Sequence, residues 1–143
     1  MKPFVVLEHT ATADALFQAF GKTLNSCFKN AALAVESLTI NLKSVEPKIE
    51  EHIDLTADDP KQLLVDFLEE LIFLKDTKYL VFSKIKVSVK EQEEHVTLTA
   101  TLKGERINPK KHELGNDIKA ITYHQLKLEK QKDHWMAQVL VDI

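Results

Sequence analysis

Two aspartates stand at the ends of apolar runs. Asp14 directly precedes Ala15, Leu16 and Phe17, and Asp142 lies between Val141 and Ile143. Carboxylates drawn out of water near one another repel and raise each other's pKa unless a cation compensates them. Oxygen donors of this kind suit calcium or magnesium rather than zinc. Two readings are open on composition alone: acids marking strand ends in water, or ligands of a hard cation. The stretch Val139-Leu140-Val141-Asp142-Ile143 adds a question, since chains usually fray into polar tails and this one stays apolar and β-branched to Ile143.

The remaining reactive side chains point to no standard catalytic set. The histidines at 9, 52, 95, 112, 124 and 134 never fall at the i, i+4 spacing of a helical zinc site, and the single Cys27 adds no thiolate cluster. His9 reads as a strand-end side chain bonded to backbone. His124 shares parity with Ile118, Ala120, Leu126 and Leu128 and so reads as a core-edge histidine. Cys27 falls on an apolar helix face, where a buried inert thiol is the ordinary case, and Trp135 reads as a core anchor. No glycine-rich phosphate loop and no nucleophile elbow is present.

Positioning these residues requires the following elements. PFVVLEH and ADALFQAFG are β-branched or aromatic and close in sequence, which predicts two strands in a hairpin-like arrangement closed by Gly21. Thr23 is a helix N-cap, and Leu24, Cys27, Phe28, Ala31, Val35 and Leu38 share one helical face. After Pro47, Ile49, Glu51, Ile53 and Leu55 alternate with Glu50, His52 and Asp54, which predicts an edge or outer strand. Asp59 and Pro60 open a second helix whose wide apolar stripe (Leu63, Leu64, Phe67, Leu68, Leu71, Ile72) is suited to lie across a sheet. YLVFSKIKVSV and HVTLTATLKG alternate as strands, with Val96, Leu98, Ala100 and Leu102 inward. IKAITYHQLKLEK and WMAQVLVDI, joined by the turn QKDH, read as a terminal hairpin. The fold class is α+β, antiparallel sheets with two packed helices, in a single domain over 1–143.

Bulk composition narrows the partners. The chain has 143 residues, enough to bury about two thirds of its unfolded surface. The net charge of −3, with lysines spread along the sequence, offers no phosphate-neutralising stripe, so no stable direct nucleic-acid binding is expected. The short apolar run at the start fits neither a signal peptide nor a membrane span. A cytoplasmic protein without a membrane partner is expected.

From HTATADALFQAFGKTLNSCFKNAALA onward, the sequence resembles the archease family, small accessory proteins of RtcB-type tRNA-splicing RNA ligases. The likeness continues through SVEP, LLVDFLEELIFLKDT, NPKKHELGNDIKAITYH and the final VLVDI, covering nearly the whole chain in order. The resemblance implies a strand-helix-strand-strand type module with an inserted smaller sheet. It also implies a non-enzymatic activator that binds the ligase, promotes guanylylation of the ligase's active-site histidine by GTP, and restores repeated turnover. The family's divalent-cation site, carried over, falls on Asp14, Asp142 and the terminal carboxylate of Ile143, with calcium first and magnesium or manganese as alternatives. In the common family pattern the aspartate follows His-Thr-Ala directly; here Thr12 and Ala13 intervene, and the register of DALFQAFG selects Asp14. Lys119 matches a lysine implicated in activation, and alternation with Tyr123, Gln125 and Lys127 away from the apolar face supports its exposure. The alternatives are a small metal-dependent phosphoester hydrolase using Asp14, Asp142 and His9, and a general chaperone-like binding module.

Overall fold

Both helices begin where their capping residues stand. The Thr23 side chain accepts the Ser26 amide while the Ser26 hydroxyl accepts the Thr23 amide, so helix α1 (Leu24–Thr39) starts with two amides satisfied reciprocally. Asp59 accepts from the Gln62 amide and Pro60 occupies the first turn of α2 (Pro60–Lys78). All six apolar residues of the predicted α2 stripe are buried. The computed structural model describes residues 1–9 and 14–143; the side chains of Glu8 and His9 lie outside that set, as do Thr12 and Ala13. The expectations for the His9 side chain and for the Thr12-Ala13 step therefore fall outside the described residues.

Among the described residues seven strands form two antiparallel sheets. β1 (Phe4–His9), β2 (Asp14–Gly21), β6 (Ala120–Lys130) and β7 (Trp135–Asp142) make a four-stranded sheet in the order β1-β2-β7-β6. β3 (Ile49–Ala57), β4 (Leu80–Glu91) and β5 (Val96–Arg106) make a smaller sheet in the order β3-β5-β4, with β3 at an edge. The smaller sheet is inserted, with α2, between α1 and β6. α1 packs on β2, β7 and β4, and α2 on β6 and all three strands of the smaller sheet, so the helices join the sheets. Phe28 of α1 and Phe67 of α2 stack at 6.4 Å between ring centroids inside this core.

The larger sheet turns one face to the helices. Ala15, Phe17 and Ala19 of β2 lie opposite Val141, Val139 and Ala137 of β7, and all six are fully buried. Alternation therefore puts Asp14, Leu16 and Gln18, with Asp142, Leu140 and Gln138, on the other face. The pairing of β6 with β7 confirms the terminal hairpin, although β6 begins at Ala120 rather than Ile118.

One expectation is corrected within β6. Four residues, Tyr123 to Leu126, stand opposite the single Val139 between the Thr122–Leu140 and Lys127–Gln138 pairs, and Gln125 is left-handed at φ 59°. This wide bulge resets the alternation. Ile121 is buried, sharing parity with the exposed Lys119 and Tyr123, while His124 is exposed rather than a core-edge residue.

Candidate functional site

Asp14 and Asp142 are direct partners in the β2–β7 register. Residues directly opposite in an antiparallel pair share a face, with Cβ atoms about 4.5–5.5 Å apart, and like charges there destabilise the sheet. Asp14 is half-buried and Asp142 exposed. Among the described residues neither carboxylate meets a cationic side chain within ion-pair distance. An opposed, uncompensated acid pair is therefore built into the end of the sheet.

The third strand closes around this end. The Lys119 amide donates to the Asp142 carbonyl at 2.8 Å, and Ala120 pairs with Asp142. The small side chain of Ala120 leaves the acids uncrowded. Ile143 continues the alternation inward: its side chain packs against the main core and its backbone carboxyl follows Asp142 directly. Lys119 is exposed, as expected. The fold thus gathers four residues from distant stretches of the sequence at one end of the larger sheet. Among the described residues no three His, Cys, Asp or Glu side chains cluster as metal ligands, so an ion here would need a main-chain oxygen to complete an oxygen-only set. Two facing carboxylates offer oxygen donors of the kind that a hard cation accepts.

The approach of Lys119 to this edge is fixed by groups that sequence reasoning did not single out. Lys75 of α2 is buried, and its Nζ donates to the Ile118 carbonyl at 2.7 Å and to Asp117 Oδ1 at 2.8 Å. These are the two residues before Lys119. Further upstream, the Gly115 amide donates to the Thr39 carbonyl, and a Cβ on Gly115 would come within 2.5 Å of the Leu38 carbonyl oxygen. Only glycine fits that approach.

The loop's other anchor is a buried histidine. His112 Nδ1 accepts the Asn108 amide, so its proton sits on Nε2 and donates to Glu105 Oε1 at 2.7 Å. Lys111 also reaches Glu105 at 2.8 Å, and its hydrogen bond is the first cause holding the Glu105 carboxyl down to about 2. This cluster ties the loop to β5.

Glu36 is a second buried acid. It lies on α1 with Oε2 accepting the Phe82 amide at 2.8 Å, and burial pushes its carboxyl up to about 8, against the pull of that hydrogen bond and of Lys75. At neutral pH it is predominantly protonated. Its sequence signal is an acid set directly after the small apolar run Ala31-Ala32-Leu33-Ala34-Val35. Cys27 is fully buried, and desolvation pushes its thiol up to about 12, which makes it inert in the folded state. Trp135 is partly buried and packs against the core.

Comparison with known proteins defines the class. The fold is that of a solution structure of Methanobacterium thermoautotrophicum protein 1598, at a TM-score of 0.87 and 36% identity with all of both chains covered. A crystal structure of a Thermotoga maritima protein, described as an archease and possible chaperone, shares the fold at a TM-score of 0.60 and 20% identity, covering 96% of this chain and 94% of that one. The profile of the Archease protein family (MTH1598/TM1083) matches residues 4–143. The chain belongs to that family. It is 42% identical to the Protein archease of Methanosarcina acetivorans, over 99% of this chain and 97% of that protein. It is 38% identical to the Protein archease of Pyrococcus furiosus over the full length of both. No helix among the described residues is long and apolar enough to cross a membrane.

Proposed function

We infer that this chain activates an RtcB-type RNA ligase in tRNA splicing or RNA repair. It binds the ligase, promotes guanylylation of the ligase's histidine by GTP, and returns the spent ligase to a state that turns over again. The reading rests on family membership along the whole chain. One observation carries it further: Asp14 and Asp142 face each other, with the Lys119 amide on the Asp142 carbonyl and Ile143 next in the chain. Residues that a family resemblance selects from distant stretches are neighbours at one sheet edge.

In this reading Asp14, Asp142 and the Ile143 carboxylate hold a divalent cation, calcium first, with magnesium or manganese as alternatives. A hard cation bound by carboxylates supplies charge compensation and open coordination positions for phosphate oxygens. The chain's own residues do the rest. β2 and β7 hold the acids in register, the Ile143 side chain fixes the last carboxylate by packing against the core, and Lys119, bonded through its amide to the Asp142 carbonyl, offers an exposed ammonium for an anionic group on the ligase or its nucleotide.

The test is a multiple-turnover RNA ligation assay with the cognate ligase, GTP and manganese. Substoichiometric amounts of this protein should carry the ligase from about one turnover to many, while the protein alone joins no RNA and hydrolyses no phosphoester. A ligase that turns over equally well without it would overturn the reading. Metal-dependent phosphoester turnover by the protein alone would favour the hydrolase instead.

A further inference from the structure

The bulge in β6 is held from both sides of the sheet. On one face Gln18 Nε2 donates to Gln138 Oε1 at 2.9 Å, and Gln138 Nε2 donates to the Gln125 carbonyl at 2.8 Å. Gln138 is buried, so this ladder across β2, β7 and β6 is shielded from competing water. From the other side Gln62 Nε2 of α2 donates to the Tyr123 hydroxyl at 2.9 Å and to Asp66 Oδ1 at 2.9 Å.

What is held is an unfavourable conformation. Gln125 has a positive φ of 59°, a region that side chains other than glycine, asparagine and aspartate rarely adopt. Thr122 Oγ1, immediately before the bulge, is buried without a hydrogen-bond partner among the described residues. Strain of this kind persists only where the surroundings over-determine it, and bulges serve to re-aim side chains. The side chains re-aimed here are exposed. Tyr123 is 60% exposed despite its tethered hydroxyl, and His124 is open to solvent.

Resting on the activator reading, we propose that the pinned bulge at Tyr123 and His124 in β6 is the surface by which this chain docks on the ligase. The occupant follows from the chemistry displayed. His124 and Lys127 are exposed along the edge strand β6, which suits an acidic patch. Tyr123 adds a large ring whose mobility is restricted by its hydrogen bond, the kind of anchor that fills an apolar pocket at the centre of an interface. The surface is continuous with the Asp14–Asp142 edge through β6, so docking there brings that edge to the ligase. Preorganisation by the glutamine ladder lowers the ordering cost of binding.

The experiment separates docking from activation. Binding of Tyr123→Ala/His124→Ala to the cognate ligase is measured by calorimetry, alongside the ligation assay over a range of protein concentrations and a calcium titration of the variant alone. Both positions are exposed, and a melting curve checks the fold. The expected result is a Kd raised about tenfold or more, a matching rise in the concentration giving half-maximal activation, and an unchanged plateau and calcium affinity. Gln138→Met, which removes the pin and leaves the displayed surface intact, should weaken binding by a smaller factor. Wild-type affinity in the double variant would overturn the docking surface; wild-type affinity in Gln138→Met would overturn its preorganisation. A wild-type protein that binds the ligase without activating it would sink the activator reading alone, and the binding comparison would still decide the surface. A wild-type protein that does not bind at all would overturn both.

Discussion

Asp14 of β2 and Asp142 of β7 face each other directly across an antiparallel pair, and among the described residues no cationic side chain stands within ion-pair distance of either. Opposed like charges cost stability, so an arrangement of this kind makes physical sense when something arrives to neutralise it.

Asp14→Asn and Asp142→Asn should therefore separate stability from binding. Without added metal each variant should be as stable as the parent, or more stable by about 0.2–1 kcal/mol, because one of the facing charges is gone. With calcium at about a hundred times its Kd, the parent should gain about 2.7 kcal/mol and the variants much less. Thermal melts with and without calcium check this. Equal calcium-induced shifts in all three proteins would remove the acids from the cation site.

A change at Ile143 tests the proposed third ligand. A peptide appended after Ile143 converts a carboxylate into a neutral carbonyl and places new atoms beside Asp142, so calcium binding and ligase activation should both weaken. Ile143→Val keeps the carboxylate and most of the apolar packing and should behave like the parent. Titration calorimetry on the two proteins and on an N-terminally tagged control is the measurement; unchanged affinity in the extended protein would discard the terminal carboxylate.

Lys119→Ala should leave stability within about 0.5 kcal/mol, since the side chain is exposed and its backbone bond to Asp142 survives the substitution. Activation should fall even at saturating protein, because the missing ammonium acts after docking. A full plateau in the ligation assay would make Lys119 a solvated surface residue.

Glu36 predicts a pH dependence unrelated to the acid pair. Burial raises its carboxyl from the ordinary 4.5 to about 8, so between those values the native protein binds more protons than the unfolded chain. Stability falls as pH rises across that window, by about 1.4 kcal/mol per unit. Glu36→Gln keeps an oxygen for the Phe82 amide and removes the titration. Urea denaturation at pH 5, 7 and 9 should show the variant gaining on the parent as pH rises; parallel curves would refute the assignment.

The helices were legible because their signals are local. Thr23, Asp59 and Pro60 announce starts, and the stripe from Leu63 to Ile72 has one period throughout. The strand from Val96 to Leu102 was equally clear, its alternation surviving intact between two neighbours. Parity failed in β6 because extra residues in a bulge leave no mark on composition, and so His124 stands exposed rather than at the core edge. The pairing of Asp14 with Asp142 is a register between strands far apart in sequence, and periodicity within each strand is silent on it. His112 and Glu105, like Lys75 and Asp117, are meetings of side chains that only packing arranges.

The position of β7 has a consequence for how the molecule comes into being. It is the last of the described strands, yet it lies inside the larger sheet, between β2 and β6. The apolar face of Ala15, Phe17 and Ala19 in β2 must wait for a partner that lies far along the chain, as the 120-residue separation of Gln18 and Gln138 shows. Closure of that sheet is a non-local step of the slow kind. A nascent chain stalled before Trp135 already holds every residue of both helices and of the small sheet, and lacks the strand that brings Asp142 to Asp14. The acidic pair is in this sense a mark that the larger sheet has closed.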